Sequence, residues 1–504
     1  FWGFGPEALP LNGRVWMPEG GGPFPLALIV HGNHYMERFS DTGYAYIGER
    51  LANLGIIAVS VDENFLNYSV WSGGIEPDMT ARAWLLLQHL MWIADMSEQP
   101  ESPFYGKVDL QRVALIGHSR GGQAAALAAS FREFFHDAEH LPLPDDTRYR
   151  IRSVAAIAPI DRAIDGMYVT LRNVNYLVLQ GAMDSDVNVF YGHRQYSRIR
   201  WTDGESYFKA ALYIQGANHG QFNTEWGDAD LSSPLDLLLN REDMLAGEDQ
   251  RRIAELYVAA FLAATLNGER EYLPMLRDYR HAGDLLPNTT YLQQYEDSGF
   301  IPFVRFHEDE DKTTAAWRGV EISADGLSAW KEMELEDREG DSLLNDAVYL
   351  AWDGKHEAVY EIDLSEFDRW PESLGPESVL GFDLANADLD PAHRDAEPPE
   401  IRLEIETTSG RRIWIDPAMT QPLPPAVHTR FTKSPFFEKA LHEGRLGNSA
   451  EATLQTFLIP LVFPGDEPTL GSDRIATLRF YFPAGRPGRI ILDNIGIYPE
   501  GLCD

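Results

Sequence analysis

Ser119 lies in Leu115-Ile116-Gly117-His118-Ser119-Arg120-Gly121-Gly122, between an apolar run, Val113 to Ile116, and an alanine-rich run, Gln123 to Ser130. A Gly-x-Ser-x-Gly sequence between a strand and a helix holds a serine hydroxyl in strained, exposed geometry. Glycines at 117 and 121 suit a turn too tight for side chains. At the start of a helix, free amides and the helix dipole favour the negative charge that develops when the hydroxyl attacks a carbonyl. Such a serine needs a base to take its proton and an acid to orient that base. His219, in Gln215-Gly216-Ala217-Asn218-His219-Gly220 after the apolar run Tyr207 to Ile214, is set apart from the other histidines by its order and loop position. The acid is expected in Gly181-Ala182-Met183-Asp184-Ser185-Asp186-Val187, after the run Tyr176 to Gln180. Asp184 and Asp186 both qualify, and either can also serve simply as a turn or capping residue. Asp184 is the expected acid.

The elements that must position these residues alternate between apolar runs and helical patterns. Leu11 to Met17 reads as an early strand, and Leu26 to Val30 and Ile56 to Val61 read as buried parallel strands. Asp41 to Leu54 has helical spacing and stops at Gly55. Met79 to Asp95 is apolar on most faces, as in a buried helix, with Asp78 as its expected cap. Ser153 to Ala158 is a further strand, and Arg251 to Leu266 has the pattern of a closing helix. Loops at the carboxyl edge of a parallel sheet are where ligands bind. His31-Gly32-Asn33-His34 and the loop Asp62 to Gly74 are such loops. His31 is expected to fix its loop by hydrogen bonding; His34 is a candidate substrate contact or a solvent-facing residue, and Phe65 and Trp71 are candidate substrate contacts or packing aromatics.

The chain is too long, at 504 residues, for one ordinary domain. Residues 281–300 read as a connector, giving an α/β domain over 1–280 and a second domain over 301–504. In the latter, Ile401 to Glu406 and Arg412 to Ile415 alternate about a turn as a hairpin. Glu357 to Leu364, Ile475 to Phe482 and Arg489 to Tyr498 are further strands. Many short strands with Pro and Gly breaks indicate an all-β sandwich.

Net charge is −36, and 39 of the 78 acidic residues fall before residue 301, so the acidity is spread rather than carried by a tail. Such a surface repels phosphate backbones, and a nucleic-acid partner is not expected. No apolar run is long enough for a membrane span. The one cysteine, Cys503, allows neither an internal disulfide nor a thiolate metal site, and no metal or cofactor is expected. The acidic stretches Glu308 to Asp311 and Asp383 to Asp390 lack a calcium-loop pattern. The chain starts at Phe1 rather than Met, which suggests either a removed leader or a trimmed chain, and the first of these carries the expectation of export.

The first ~280 residues resemble the α/β-hydrolase superfamily of serine esterases, a mostly parallel sheet flanked by helices. The string Gly117-His118-Ser119-Arg120-Gly121-Gly122 is similar to the lipase-type motif of chlorophyllases, and the layout is similar to cutinase-like and dienelactone-hydrolase-like enzymes. The resemblance implies a triad of Ser119, Asp184 and His219, with the backbone amides of Asn33 and Arg120 as oxyanion donors. Leu492-Asp493-Asn494-Ile495-Gly496-Ile497 resembles the last strand of carbohydrate-binding jelly rolls, which implies a glycan- or polymer-facing surface in the second domain. Only 16 residues, Ile160 to Asn175, separate two predicted strands, too few for a large cap. The expectation is therefore a serine carboxylic-ester hydrolase with an open site for short-chain, bulky or polymeric esters. A chlorophyllase-type esterase, a serine peptidase and a noncatalytic binding protein on the same scaffold are the alternatives.

Overall fold

The structure, a computed structural model, describes residues 3–4, 8–69, 73–74, 78–135, 147–306, 311–371, 374–375, 377–394, 396–434, 436–437, 448–461 and 473–502. The chain divides into two compact units, one of Phe1–Tyr291 with Arg430–Lys439, the other of Leu292–Thr429 with Ala440–Asp504.

In the first unit the strands are β1 (Gly13–Trp16), β2 (Phe24–Val30), β3 (Ile57–Val61), β4 (Val108–His118), β5 (Ile151–Ile157), β6 (Asn175–Gly181) and β7 (Phe208–Ile214). They lie in the order β1-β3-β2-β4-β5-β6-β7. Strand β1 is antiparallel to β3, and the other six run parallel. The apolar runs are continuous because β3, β6 and β7 are buried along their whole length. Helices α1 (Ala45–Asn53), α2 (Met79–Ser97) and α3 (Arg120–Ala129) connect them. The small residues of α3 permit close packing: a Cβ on Gly122 would stand 2.6 Å from Pro159 Cβ. Six parallel strands end at one edge, and that edge gathers the loops that begin at His31, Asp62, Ser119, Ala158, Ala182 and Gln215.

Asp78 differs from its expected role. It makes no side-chain cap of α2, because its carboxylate is taken by two guanidiniums described below. The helix expected over Arg251 to Leu266 is α-helical at Gly247–Leu262 and ends in a π-helical turn, Ala263–Asn267. Gly268, at φ 74°, supplies the left-handed residue that stops it.

The second unit is built of strands. After β8 (Tyr291–Asp297), which begins on the last residue of the first segment, come β9 (Ile301–Val304), β10 (Glu321–Asp325), β11 (Ala329–Glu336), β12 (Ser342–Trp352) and β13 (Ala358–Asp363). These are followed by β14 (Val379–Asn386), β15 (Arg402–Thr407), β16 (Arg412–Ile415), β17 (Gln455–Pro460), β18 (Ile475–Phe482) and β19 (Gly488–Tyr498). One antiparallel sheet has the order β10-β13-β18-β15-β16, the other β11-β12-β19-β14-β17, with β9 paired to β19. Alternate residues of both, among them Tyr360, Leu403, Phe480, Leu350, Phe382 and Leu492, meet in one apolar core. The arrangement is sandwich-like. The expected hairpin is formed by β15 and β16, which pair Leu403 with Ile415. Glu308 to Glu310 of the first acidic stretch, and also Cys503, lie outside the described residues.

Candidate active site

Ser119 adopts φ 59° and ψ −125°, a backbone region that L residues rarely occupy, between the last residue of β4 and the first of α3. Its N–H donates to Ile157 O at 2.9 Å and its carbonyl accepts from Gly122 N at 2.9 Å, so the strained turn is held on both sides. The flanking glycines are required sterically. A Cβ on Gly117 would lie 2.0 Å from Gly121 O, and one on Gly121 would lie 2.3 Å from Val30 O. Gly32, in the loop after β2, is equally constrained: its Cβ would stand 2.5 Å from Ser119 Cβ. The loop carrying Asn33 thus passes directly against the serine. Arg120 is the first residue of α3, where backbone N–H groups have no intrahelical acceptor.

The acid and base loops meet in a compact arrangement. His219 Nδ1 is 2.8 Å from Asp184 Oδ2, and both side chains are buried. Asp184 Oδ1 accepts from the backbone amides of Asp186 (3.0 Å) and Val187 (2.7 Å), and Gln180 Nε2 donates to Oδ2. With these donors Asp184 is held as an acceptor and the Nδ1 proton is fixed on the imidazole side. Asp186 lies across the ring, its Oδ2 3.6 Å from Nε2. Nε2 itself makes no hydrogen bond among the described residues. A third carboxylate, Asp230, accepts from Ser185 N, His219 N, Gly220 N and Asn218 Nδ2. Burial alone would lower the pKa of His219, but Asp184, Asp186 and Asp230 outweigh it and raise the value to about 10.

Beneath His219 the rings are stacked. Trp226 lies 4.5 Å from His118, 5.2 Å from His34 and 5.9 Å from His219, centroid to centroid, each nearly parallel. His118 is fixed from below by Tyr44, whose hydroxyl is 2.9 Å from Nδ1. Burial keeps His118 neutral, its pKa well below the ordinary histidine value. His34 is likewise lowered to about 4, by burial and then by Arg38 and His219. It is half-buried.

A second network supports the loops. His31 Nε2 accepts from Glu63 N at 3.0 Å and Nδ1 pairs with Gly32 O at 2.8 Å, so the ring is neutral with its proton on Nδ1. Burial, then Arg82, lowers its pKa to about 3. Arg82, fully buried in α2, donates to Asp78 (2.6 Å) and Asn67 (2.9 Å), and pairs with Glu63 at 3.4 Å. Asp78 also accepts from Arg120 at 2.9 Å, tying the residue after Ser119 to the same hub.

Phe65 is corrected from its expected role. It is buried with Leu66 and Leu85, edge-on to Phe4, and serves packing. Trp71 lies outside the described residues. Asp230, Trp226, Gly32 and Arg82 were not anticipated from the sequence. Among the described residues no group of His, Cys, Asp and Glu is arranged to hold a metal ion, and no helix is long and apolar enough to cross a membrane. The chain matches no protein-family model and no curated protein.

Proposed function

We propose that this protein is a serine hydrolase of carboxylic esters with an α/β-hydrolase fold and a jelly-roll-like second unit. The observation that carries the reading is the 2.8 Å contact between Asp184 Oδ2 and His219 Nδ1 at the same sheet edge as Ser119 in its positive-φ turn. His219 Nε2 takes the hydroxyl proton as Ser119 Oγ attacks the carbonyl carbon, and Asp184 stabilises the imidazolium. The amides of Asn33 and Arg120 receive the oxyanion. Collapse releases the alcohol and leaves the acyl group on Ser119; water, activated by His219, then releases the acid.

An open site for short-chain and bulky or polymeric esters is part of this reading. It is supported by the segment between β5 and β6, whose ladder contacts are the isolated bridges Ile164–Met167 and Arg172–Arg200 and which exposes Met167 and Tyr168. Hydrolysis of short-chain p-nitrophenyl esters and labelling by a fluorophosphonate probe test the assignment. Both are expected for the wild type and neither for Ser119→Ala; an active, labelled Ser119→Ala would sink it.

A further inference from the structure

Asp184 and Asp186 stand at opposite nitrogens of one imidazole. Asp184 is sealed in the interior on the Nδ1 side, whereas Asp186, 3.6 Å from Nε2, keeps half of its side chain exposed. The backbone that carries Asp186 is held in place: its own amide and that of Val187 both donate to Asp184 Oδ1, wrapping the loop around the buried acid. Its one ion pair among the described residues is with His219.

This position has a chemical consequence that rests on the ester-hydrolase reading. In acylation the bond between the carbonyl carbon and the alcohol oxygen breaks, and that oxygen receives the proton that Nε2 took from Ser119. The oxygen must therefore come within hydrogen-bond distance of Nε2, on the side where Asp186 stands. The alcohol part of the substrate leaves past this half-solvated carboxylate, while the acyl part remains on Ser119.

We infer that Asp186 is a specificity-determining residue that selects esters by the charge of their alcohol part, favouring a cationic alcohol and rejecting an anionic one. The attraction acts over a few ångströms at the rim of a partly desolvated site, where a unit charge is weakly screened. Of the other charged or titratable groups here, Asp184 and Asp230 are buried acids, and His118 and His34 are neutral at neutral pH; the cations are His219 itself and Arg38 beside His34, and both are common to every ester compared and to the Asp186 variant.

The test uses three acetate esters with one acyl group: choline acetate, its neutral isostere 3,3-dimethylbutyl acetate, and the acetate of 3-hydroxypropanesulfonate. All three pass through the same acetyl-enzyme, so differences in kcat/KM report only the alcohol part. In the full-length wild type at low salt, choline acetate is expected to exceed the sulfonate ester by about tenfold, with the neutral ester between them. In Asp186→Asn the ratio should fall towards one. That variant changes the net charge of −36 by a single unit, so the loss localises the effect to this carboxylate rather than to the general field. A wild-type ratio near one, or a ratio that survives in Asp186→Asn, overturns the assignment while ester hydrolysis itself stands. A protein that hydrolyses none of the three and resists the fluorophosphonate probe removes the ester-hydrolase reading and this inference with it.

Discussion

Asp230 holds His219 by its backbone rather than by its ring: Oδ2 accepts the His219 amide at 2.9 Å, and the same atom accepts the Ser185 amide at 3.1 Å. The loop bearing the acid and the loop bearing the base are therefore hung on one oxygen. Asp230→Asn replaces an acceptor with a donor facing those amides. It is expected to lower kcat by about one to two orders of magnitude, with KM for a small ester little changed, as for loss of geometry in the transition state. A KM increase with kcat intact would mean that Asp230 only shapes the binding surface.

The three carboxylates around His219 set a pH signature. Because they raise its pKa to about 10, the imidazole stays protonated to higher pH than an ordinary histidine, and the base form appears only as pH rises. The rising limb of kcat/KM for a neutral ester should lie on the alkaline side of ~6.5. Asp186→Asn removes one of the raising charges and should move that limb to lower pH. The stability linkage has the same sign: the charged His219 contributes fully below its unfolded value, and the contribution is lost as pH rises through the folded one. An unmoved limb in Asp186→Asn would contradict this account.

The Arg82 hub separates two carboxylates that look alike in sequence. Burial, opposed by Arg82, raises Glu63 to about 8, so near neutrality its carboxyl is largely protonated and Asp78 carries the ion pairing. Glu63→Gln should therefore change the unfolding free energy by only about 1 kcal/mol. Asp78→Asn strips the partner from two guanidiniums, one fully buried, and should cost about 3–5 kcal/mol. Urea denaturation of both variants reads the difference; equal losses would show that the pairing is shared.

Gly32 is expected to tolerate no side chain. A Cβ there meets Ser119 Cβ at 2.5 Å and His118 O at 2.8 Å, both on a turn that is itself strained. Gly32→Ala should fold with a lowered Tm and lose at least about tenfold in kcat, since displacement of the Asn33 loop would misplace the amide proposed to receive the oxyanion. Unchanged kinetics would show that the loop yields without disturbing the site.

Much of this was legible because parallel strands impose order. Continuous apolar runs marked β2, β3, β5, β6 and β7, and the sequence around Ser119 carried the steric demands that Gly117 and Gly121 make plain. His219 could be singled out because its loop follows the last such run. The supports were hidden for physical reasons. Asp230 sits in Gly227-Asp228-Ala229-Asp230, which reads as a solvated loop, and its function arises only when folding brings it four donors. Arg82 lies in a helix where a charge suggests an exposed face, and only partners distant in sequence make its burial tolerable. Phe65 shows the converse: a loop aromatic beside a ligand-binding edge can equally belong to the core, and the sequence does not say which. Nothing near Arg430 marks its segment, read as part of a 301–504 domain, as a member of the first unit. It belongs there through long-range pairing, with Thr432 bridged to Leu239 and Phe431 O accepting from Asn240 N.

That returning segment, Arg430–Lys439, governs how the protein can be made. On the ribosome the first unit cannot acquire its last piece until most of the second has been synthesised, so the two cannot mature strictly one after the other. Any nascent first unit waits, short of the backbone partners of Leu238, Leu239 and Asn240, while about 140 residues of β-rich chain emerge. The order of translation and the order of completion are therefore different in this chain, and a gene cut after Tyr291 encodes an unfinished first unit.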